Sequence, residues 1–206
     1  MKNIKTICIT GGTCAGKTTA FESILEDLKQ FENLYVIKLP ESATDMMSMG
    51  ISPLPNILGD NFQELNLTNQ LTREMLAKDA AKKMVPENVL IICDRSSYEQ
   101  QVFVDRLLWE RILFRLGVEN EKLMKSYDAV FHLVSTAIGA EYAYGMISNK
   151  HRIHTLEEAK EQELKAQKLW VNHPNFVMFD NSKGFQEKID DVRDSVISYV
   201  KKNFNL

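Results

Sequence analysis

The sequence predicts an α/β protein: a three-layer α-β-α arrangement on a mainly parallel, five-stranded sheet. Three observations carry this expectation. Apolar, β-branched runs alternate with segments of helical periodicity along the 206 residues. The first such run, IKTICI, leads directly into the glycine-bearing string GGTCAGKTT. Turn signals separate the segments, with no internal repeat, low-complexity tract or linker between them. The length suits one domain with a full core, taken as residues 1–206.

The elements follow in order. Residues 4–9 are apolar and β-branched, as in a strand buried on both faces. The string TTAFESILEDLKQF then places Phe21, Ile24, Leu25 and Leu28 at helical spacing. LYVIKL, residues 34–39, is the second strand. MGISPLPNILGD, residues 49–60, is a loop rich in Pro and Gly, expected to cover part of a cleft. Residues 60–84 read as one helix ending near Pro86, and VLIICD, residues 89–94, as the third strand. Residues 98–116 read as another single helix, closed by Gly117. AVFHLV, residues 129–134, is the fourth strand. Thr155 and Glu158 form a capping box that opens a helix to about residue 171. A fifth strand spans residues 176–179, and a last helix spans roughly 184–203.

Composition limits what the chain can do. Charged residues make up 26% and hydrophobic ones 44%, an ordinary soluble balance. The formal net charge is −3, which does not imply a nucleic-acid surface. No apolar run is long enough to span a bilayer. The start, MKNIKTICITGG, moves straight into a strand and predicts no signal peptide, so the cytoplasm is the expected compartment. Of the three cysteines, Cys8 and Cys93 fall in core strands as small buried hydrophobes. No Cys/His spacing suggests a zinc site.

ITGGTCAGKTT has the form G-x-x-x-x-G-K-[ST] and lies between a strand and a helix, the context that a phosphate loop needs. The expected phosphate cradle is Gly11, Gly12, Thr13, Cys14, Ala15, Gly16, Lys17, Thr18 and Thr19. The glycines permit backbone angles closed to other residues and a close approach to phosphate. Free N–H groups at the helix start, helped by the helix dipole, make an anion site. Lys17 would reach the β- and γ-phosphates, the Thr18 hydroxyl would bind Mg²⁺, and Thr19 would touch the α-phosphate. Cys14 would carry a lowered thiol pKa beside the helix N-terminus, or would be an inert loop residue.

In an open α/β sheet, ligands bind beyond the carboxyl ends of the strands, so the residues after each strand are the remaining candidates. Asp94 closes the third strand after VLIIC, where a carboxylate orients Mg²⁺; the alternative is a cap for the next helix. Arg95 suits a transferring phosphate, or a surface salt bridge. Glu41, after the second strand, would act as general base, hold Mg²⁺ through water, or complement a helix dipole. Residues 135–155 carry glycine and tyrosine and then Lys150, His151, Arg152 and His154. They read as a basic lid with Arg152 as first choice and Lys150 as second, or as a solvated loop. His132 lies mid-strand and reads as core; His173 reads as a structural turn residue. Met46, Met47 and Met49 would line an acceptor pocket or simply pack.

Other loop-bearing classes are poor fits. A Ras-type DxxG would fall on Asp94-Arg95-Ser96-Ser97, with Ser97 where glycine belongs. The nearest N-K-x-D string, Asn149-Lys150-His151-Arg152, ends in arginine, and no LSGGQ string occurs. The pattern resembles small nucleoside and nucleotide kinases instead. That resemblance implies that Glu41 is the base-like acid, Asp94-Arg95-Ser96 the D-R-[YS] element and Arg152 the lid arginine.

A closer resemblance covers nearly the whole chain. ITGGTCAGKTT, LPESAT, CDRSS, YDAVFHLVSTAIGAE, RIHTLEEA and WVNHPNFVMFDNSKGFQEKI are similar to stretches of a P-loop NTPase family labelled "AAA domain". That family is related to the ribosylnicotinamide kinase domain of the bacterial NAD regulator and to the insect TRPL translocation defect protein. The label does not imply a ring-forming AAA+ ATPase. One departure is visible: the family's D-R-G and acid stand here as Asp94-Arg95-Ser96-Ser97-Tyr98-Glu99, with Glu99 supplying the acid in a shifted register.

The sequence therefore leads to an ATP- (or GTP-) and Mg²⁺-dependent phosphotransferase acting on a small metabolite such as a nucleoside. A nucleotide-dependent switch with slow hydrolysis is the second reading. The partners expected are a nucleotide and a small-molecule acceptor, with no nucleic acid and no membrane span.

Overall fold

The computed structural model describes residues 2–54, 56–59, 61–144 and 155–206. Five strands form one parallel sheet flanked by helices, in the order β2-β3-β1-β4-β5. They are β1 (Asn3–Gly11), β2 (Leu34–Leu39), β3 (Asn88–Asp94), β4 (Ala129–Leu133) and β5 (Phe176–Phe179). This is the α/β, P-loop-type architecture that the sequence predicts. The burial of each strand follows its place in that order. β3 and β4 are buried almost throughout, whereas the edge strands β2 and β5 are partly buried or exposed at every position but Leu39.

The chain forms two compact units. The first comprises Met1–Cys8 and Val36–Asp128. Its helices are α2 (Ser42–Ser48), α3 (Asn61–Lys83), α4 (Arg106–Leu116) and α5 (Asn120–Met124), with a 3₁₀ turn over Tyr98–Phe103. Cys8, Leu67, Leu90, Ile92, Cys93 and Ile112 are among its buried apolar residues. Burial pushes the Cys8 and Cys93 thiols well above their ordinary range, as expected of small core hydrophobes.

The inward face of α3 mixes apolar and polar residues. Asn66, Gln70 and Glu74, spaced four residues apart, are buried beside Leu67, Ala77 and Ala81. The Asn66 amide donates to Gln100 Oε1 (2.8 Å), and Ser42 Oγ donates to Asn66 Oδ1 (2.6 Å). Glu74 accepts from Gln70 (2.8 Å) and from the Tyr127 hydroxyl (2.6 Å), and that hydroxyl accepts from the Ser97 amide (2.8 Å). Buried polar groups linked in this way fix a unique arrangement. Here they hold the segment just after β3.

Residues 98–116 do not form the single helix expected. Val104 and Asp105 are extended, and Asp105 caps a new helix by accepting from Leu108 N (2.8 Å). Gly117 ends α4 in the left-handed region (φ 65°), as predicted. The short helix α5 lies where no element is expected, and α2 starts directly after Glu41, where the sequence offers a helix dipole as one alternative for that acid.

The second unit comprises Ile9–Tyr35 and Ala129–Leu206. It holds α1 (Lys17–Leu28), α6 (Glu141–Tyr144), α7 (Leu156–Trp170) and α8 (Phe185–Phe204). α1 and α8 pack together, and α8 lies on β4 and β5. Ile24, Leu28, Leu133, Trp170, Ile189 and Val192 are buried there. β4 and β5 run parallel, with Val130 opposite Phe176 and Leu133 opposite Phe179. The capping box at Thr155 and Glu158 is formed in both directions. The expected lid, residues 135–155, coincides in part with α6; its basic residues Lys150, His151, Arg152 and His154 lie outside the described residues.

Candidate functional site

The phosphate loop takes shape within the second unit. Gly11 ends β1 with φ 145°, and a Cβ there would stand 2.0 Å from the carbonyl oxygen of Leu133. The chain turns through Cys14 (φ 59°) and reaches Gly16 (φ 92°), which opens α1 with no side-chain cap. The first turn of α1 holds no acidic residue, so its amides and dipole face no fixed negative charge of that helix. Lys17 Nζ donates to the Gly12 carbonyl (3.0 Å), spanning the loop. Thr18 and Thr19 are exposed. Cys14 is half-buried and packs against Ala137, Tyr144 and Ala159.

These features fit a nucleotide's phosphates. They also fit Mg²⁺, which keeps several waters and takes few protein ligands. Among the described residues, no cluster of three or more His, Cys, Asp and Glu suited to a metal occurs.

Glu163 joins this loop, although its role is not visible in the sequence. The side chain is fully buried on the inner face of α7, at a position in the Ala159, Ala166, Trp170 stripe. Oε2 accepts from the amides of Gly12 and Ser135, each at 3.0 Å. Oε1 meets His132 Nε2 at 2.5 Å and accepts from Gln167 at 2.9 Å. His132 is thus a core residue, as expected, but one half of a buried, hydrogen-bonded couple. The available signal was a histidine inside an apolar strand, which needs a buried partner.

Burial pushes the Glu163 carboxyl up. The hydrogen bond and charge of His132, with Gln167 and the Ser135 amide, outweigh that and bring it from 4.5 down to about 2. A carboxyl depressed in this way stabilises the fold above its unfolded pKa, and the contribution disappears as pH falls through the folded value. We therefore expect the thermal midpoint to drop between pH 4.5 and about 2, and Glu163→Gln to flatten that part of the pH–stability curve.

Lys188 on α8 is buried as well. Its Nζ donates to the Val134 carbonyl (3.1 Å) and to Asn181 Oδ1 (2.7 Å). Burial lowers it to about 8, against the upward pull of Glu163 and Asp180. The Asn181 amide donates to the carbonyls of Ser135 (2.8 Å) and Ile138 (2.7 Å), bracing the turn after β4.

The first unit carries the other candidates. Asp94 is half-buried at the end of β3. Arg95 adopts a left-handed conformation (φ 66°), and its Nε donates to Glu41 Oε1 in a close ion pair. Thr44 Oγ1 donates to the other Glu41 oxygen (2.6 Å). Burial opposes the Arg95 charge, but Glu41, Glu99 and Asp94 more than offset it and raise the guanidinium pKa further. Two residues 54 apart in sequence, each expected to act at the site, are therefore one electrostatic pair. Glu99 is buried and its amide donates to Ser96 Oγ (3.1 Å).

Asp45 N donates to the Glu41 carbonyl (3.3 Å), one turn along α2. Asp45, Ser48 and Met49 line a groove of about 410 Å³ with Asn69 and Arg73 of α3. Arg73 Nη1 pairs with Asp45 Oδ2 at 3.0 Å. Met46 is buried packing, whereas Met49 lines this groove.

A glycine-rich phosphate loop closing β1 of a parallel sheet defines a P-loop NTPase fold, and with it a nucleotide-binding protein. The family model described as "AAA domain" matches residues 6–188, and the chain belongs to that family. No curated protein matches the chain. Among the described residues, no helix is long and apolar enough to cross a membrane.

Proposed function

We propose that the protein is an ATP- or GTP-dependent phosphotransferase acting on a small metabolite, with a nucleoside as the leading acceptor class. The pairing of Glu41 with Arg95 carries this reading. A hydrolase needs a loop and a water-positioning group. An acid and an arginine held together after β2 and β3 instead suit an acceptor hydroxyl and the phosphoryl group it receives. Lys17 and the loop amides would bind the donor's phosphates. Mg²⁺, held by the Thr18 hydroxyl with Asp94 orienting its waters, would neutralise charge on those phosphates. Arg95 would stabilise the transferring group, and Arg152 would do so from the basic segment. As Arg95 turns to phosphate, Glu41 loses its cationic partner and becomes the stronger proton acceptor. The groove beside α2 offers the acceptor polar partners in Ser48 and Asn69 and an apolar one in Met49. Its cytoplasmic location and the relation to ribosylnicotinamide kinases belong to the same proposal.

Glu41→Gln tests the assignment. It keeps the shape and an acceptor for Arg95 but removes the base. We expect the acceptor-dependent rate to fall by about 10²- to 10⁴-fold, with nucleotide affinity changed by less than about threefold. An unaltered acceptor-dependent rate would exclude Glu41 as base.

A further inference from the structure

Glu163 is a buried carboxylate that the proposed chemistry does not use, yet it touches the phosphate loop directly. Its Oε2 takes the Gly12 amide, and a Cβ on Gly12 would lie only 2.5 Å from that oxygen. The same oxygen takes the Ser135 amide. Ser135 Oγ donates onward to the Thr13 carbonyl (2.5 Å) and accepts from the Ala137 amide (3.1 Å). Residues 12 and 13 are thus fastened from behind by a carboxylate and a hydroxyl, while Cys14 packs against the cluster of Ala137, Tyr144 and Ala159, the last of these on the same helix, α7. An anion placed behind a loop that receives anions is electrostatically adverse in itself. Here two N–H donors, His132 and Gln167 offset that cost.

We propose that Glu163 is the positioning residue of the phosphate loop: by fixing the Gly12 and Ser135 amides it holds residues 12–13 in the shape that receives a nucleotide's phosphates. The inference rests on reading the loop as the nucleotide site. Glu163 does not touch the nucleotide. It removes the ordering that binding would otherwise have to impose, which is where a preformed site gains affinity.

The test is equilibrium binding of fluorescent ATP and GTP analogues with Mg²⁺ to the full chain. Wild type and Lys17→Ala are measured first, followed by Glu163→Ala and Glu163→Gln, each with a thermal midpoint. We expect Glu163→Ala to weaken binding at least about thirtyfold, and Glu163→Gln, which keeps the shape and a neutral acceptor, to restore it to within about fivefold of wild type. Ile112→Ala, which opens a cavity beneath α4 in the other unit, is the control for plain structural damage. It should lower the midpoint and leave affinity within about twofold. If Glu163→Ala behaves like that control, the proposal is overturned. If Glu163→Ala does not fold, Glu163→Asp, which keeps the charge but is one methylene too short to reach the Gly12 and Ser135 amides, decides: binding at least about tenfold weaker supports the proposal, and any smaller loss overturns it. Nucleotide-blind wild type would overturn the nucleotide reading and this inference together. Wild type that binds, beside Glu163 variants that bind equally well, would overturn the inference alone.

Discussion

Lys17→Ala will lower nucleotide turnover by at least about a hundredfold, the scale on which a charge aimed at transferring phosphates acts. The substitution removes a cation where charge develops, and with it the link from Nζ to the Gly12 carbonyl across the loop. The fold should survive. α1 is anchored by Ala20, Phe21, Ile24 and Leu28, all buried, and none of these contacts needs the lysine head group. Release of ADP or GDP from the variant, read beside its thermal midpoint, separates the two effects. Turnover at the wild-type rate in a folded variant would remove the phosphate loop from the chemistry.

Gly11→Ala should be the most damaging single substitution in the loop. The added Cβ would fall 2.0 Å from the Leu133 carbonyl oxygen and 2.9 Å from its carbon, both backbone atoms of β4. The conformation itself, at φ 145°, is closed to L side chains. Neither strain can be relieved without moving a buried strand, so the loss should exceed about 4 kcal/mol and leave little folded protein. Gly50→Ala is the comparison. Gly50 is also at positive φ (89°), but a Cβ there meets nothing within 4 Å. The cost should be about 1–2 kcal/mol, from backbone strain alone. Denaturant titration of the two variants checks the difference. Equal losses would mean that the close approach of β1 to β4 carries no weight.

Much of the fold was legible because its signals are local. β2 and β5 occupy residues 34–39 and 176–179, where apolar runs lie between turn residues. The Thr155 capping box and Gly117 mark helix ends by short-range chemistry that a sequence displays directly. The break at Val104–Asp105 was hidden because apolar residues lie close on both sides of it, at Val102, Phe103 and Val104 and again at Leu107 and Leu108. There the Asp105 cap outweighs the helical periodicity. α2 and α5 are seven and five residues long, too short for periodicity to show.

The site divides in the same way. The phosphate loop is a contiguous string, so its residues and their order were readable. Its support was not, because Glu163 lies 151 residues from Gly12 and stands where an apolar residue would be expected. Likewise Glu41 and Arg95 were recognisable as strand-end residues, but only folding shows them as a pair. That pair changes what is asked of each: the acid begins neutralised, and the arginine is already oriented by it.

The most direct measurement is ADP and GDP release with Mg²⁺, with and without pooled nucleosides and related metabolites, with Lys17→Ala as blank. If the protein is a phosphotransferase, one pool raises release well above the acceptor-free rate, and dividing the pool isolates a single phosphorylated product. Nucleotide bound tightly, with slow release that no pool changes, would contradict that reading and show a nucleotide-dependent switch instead.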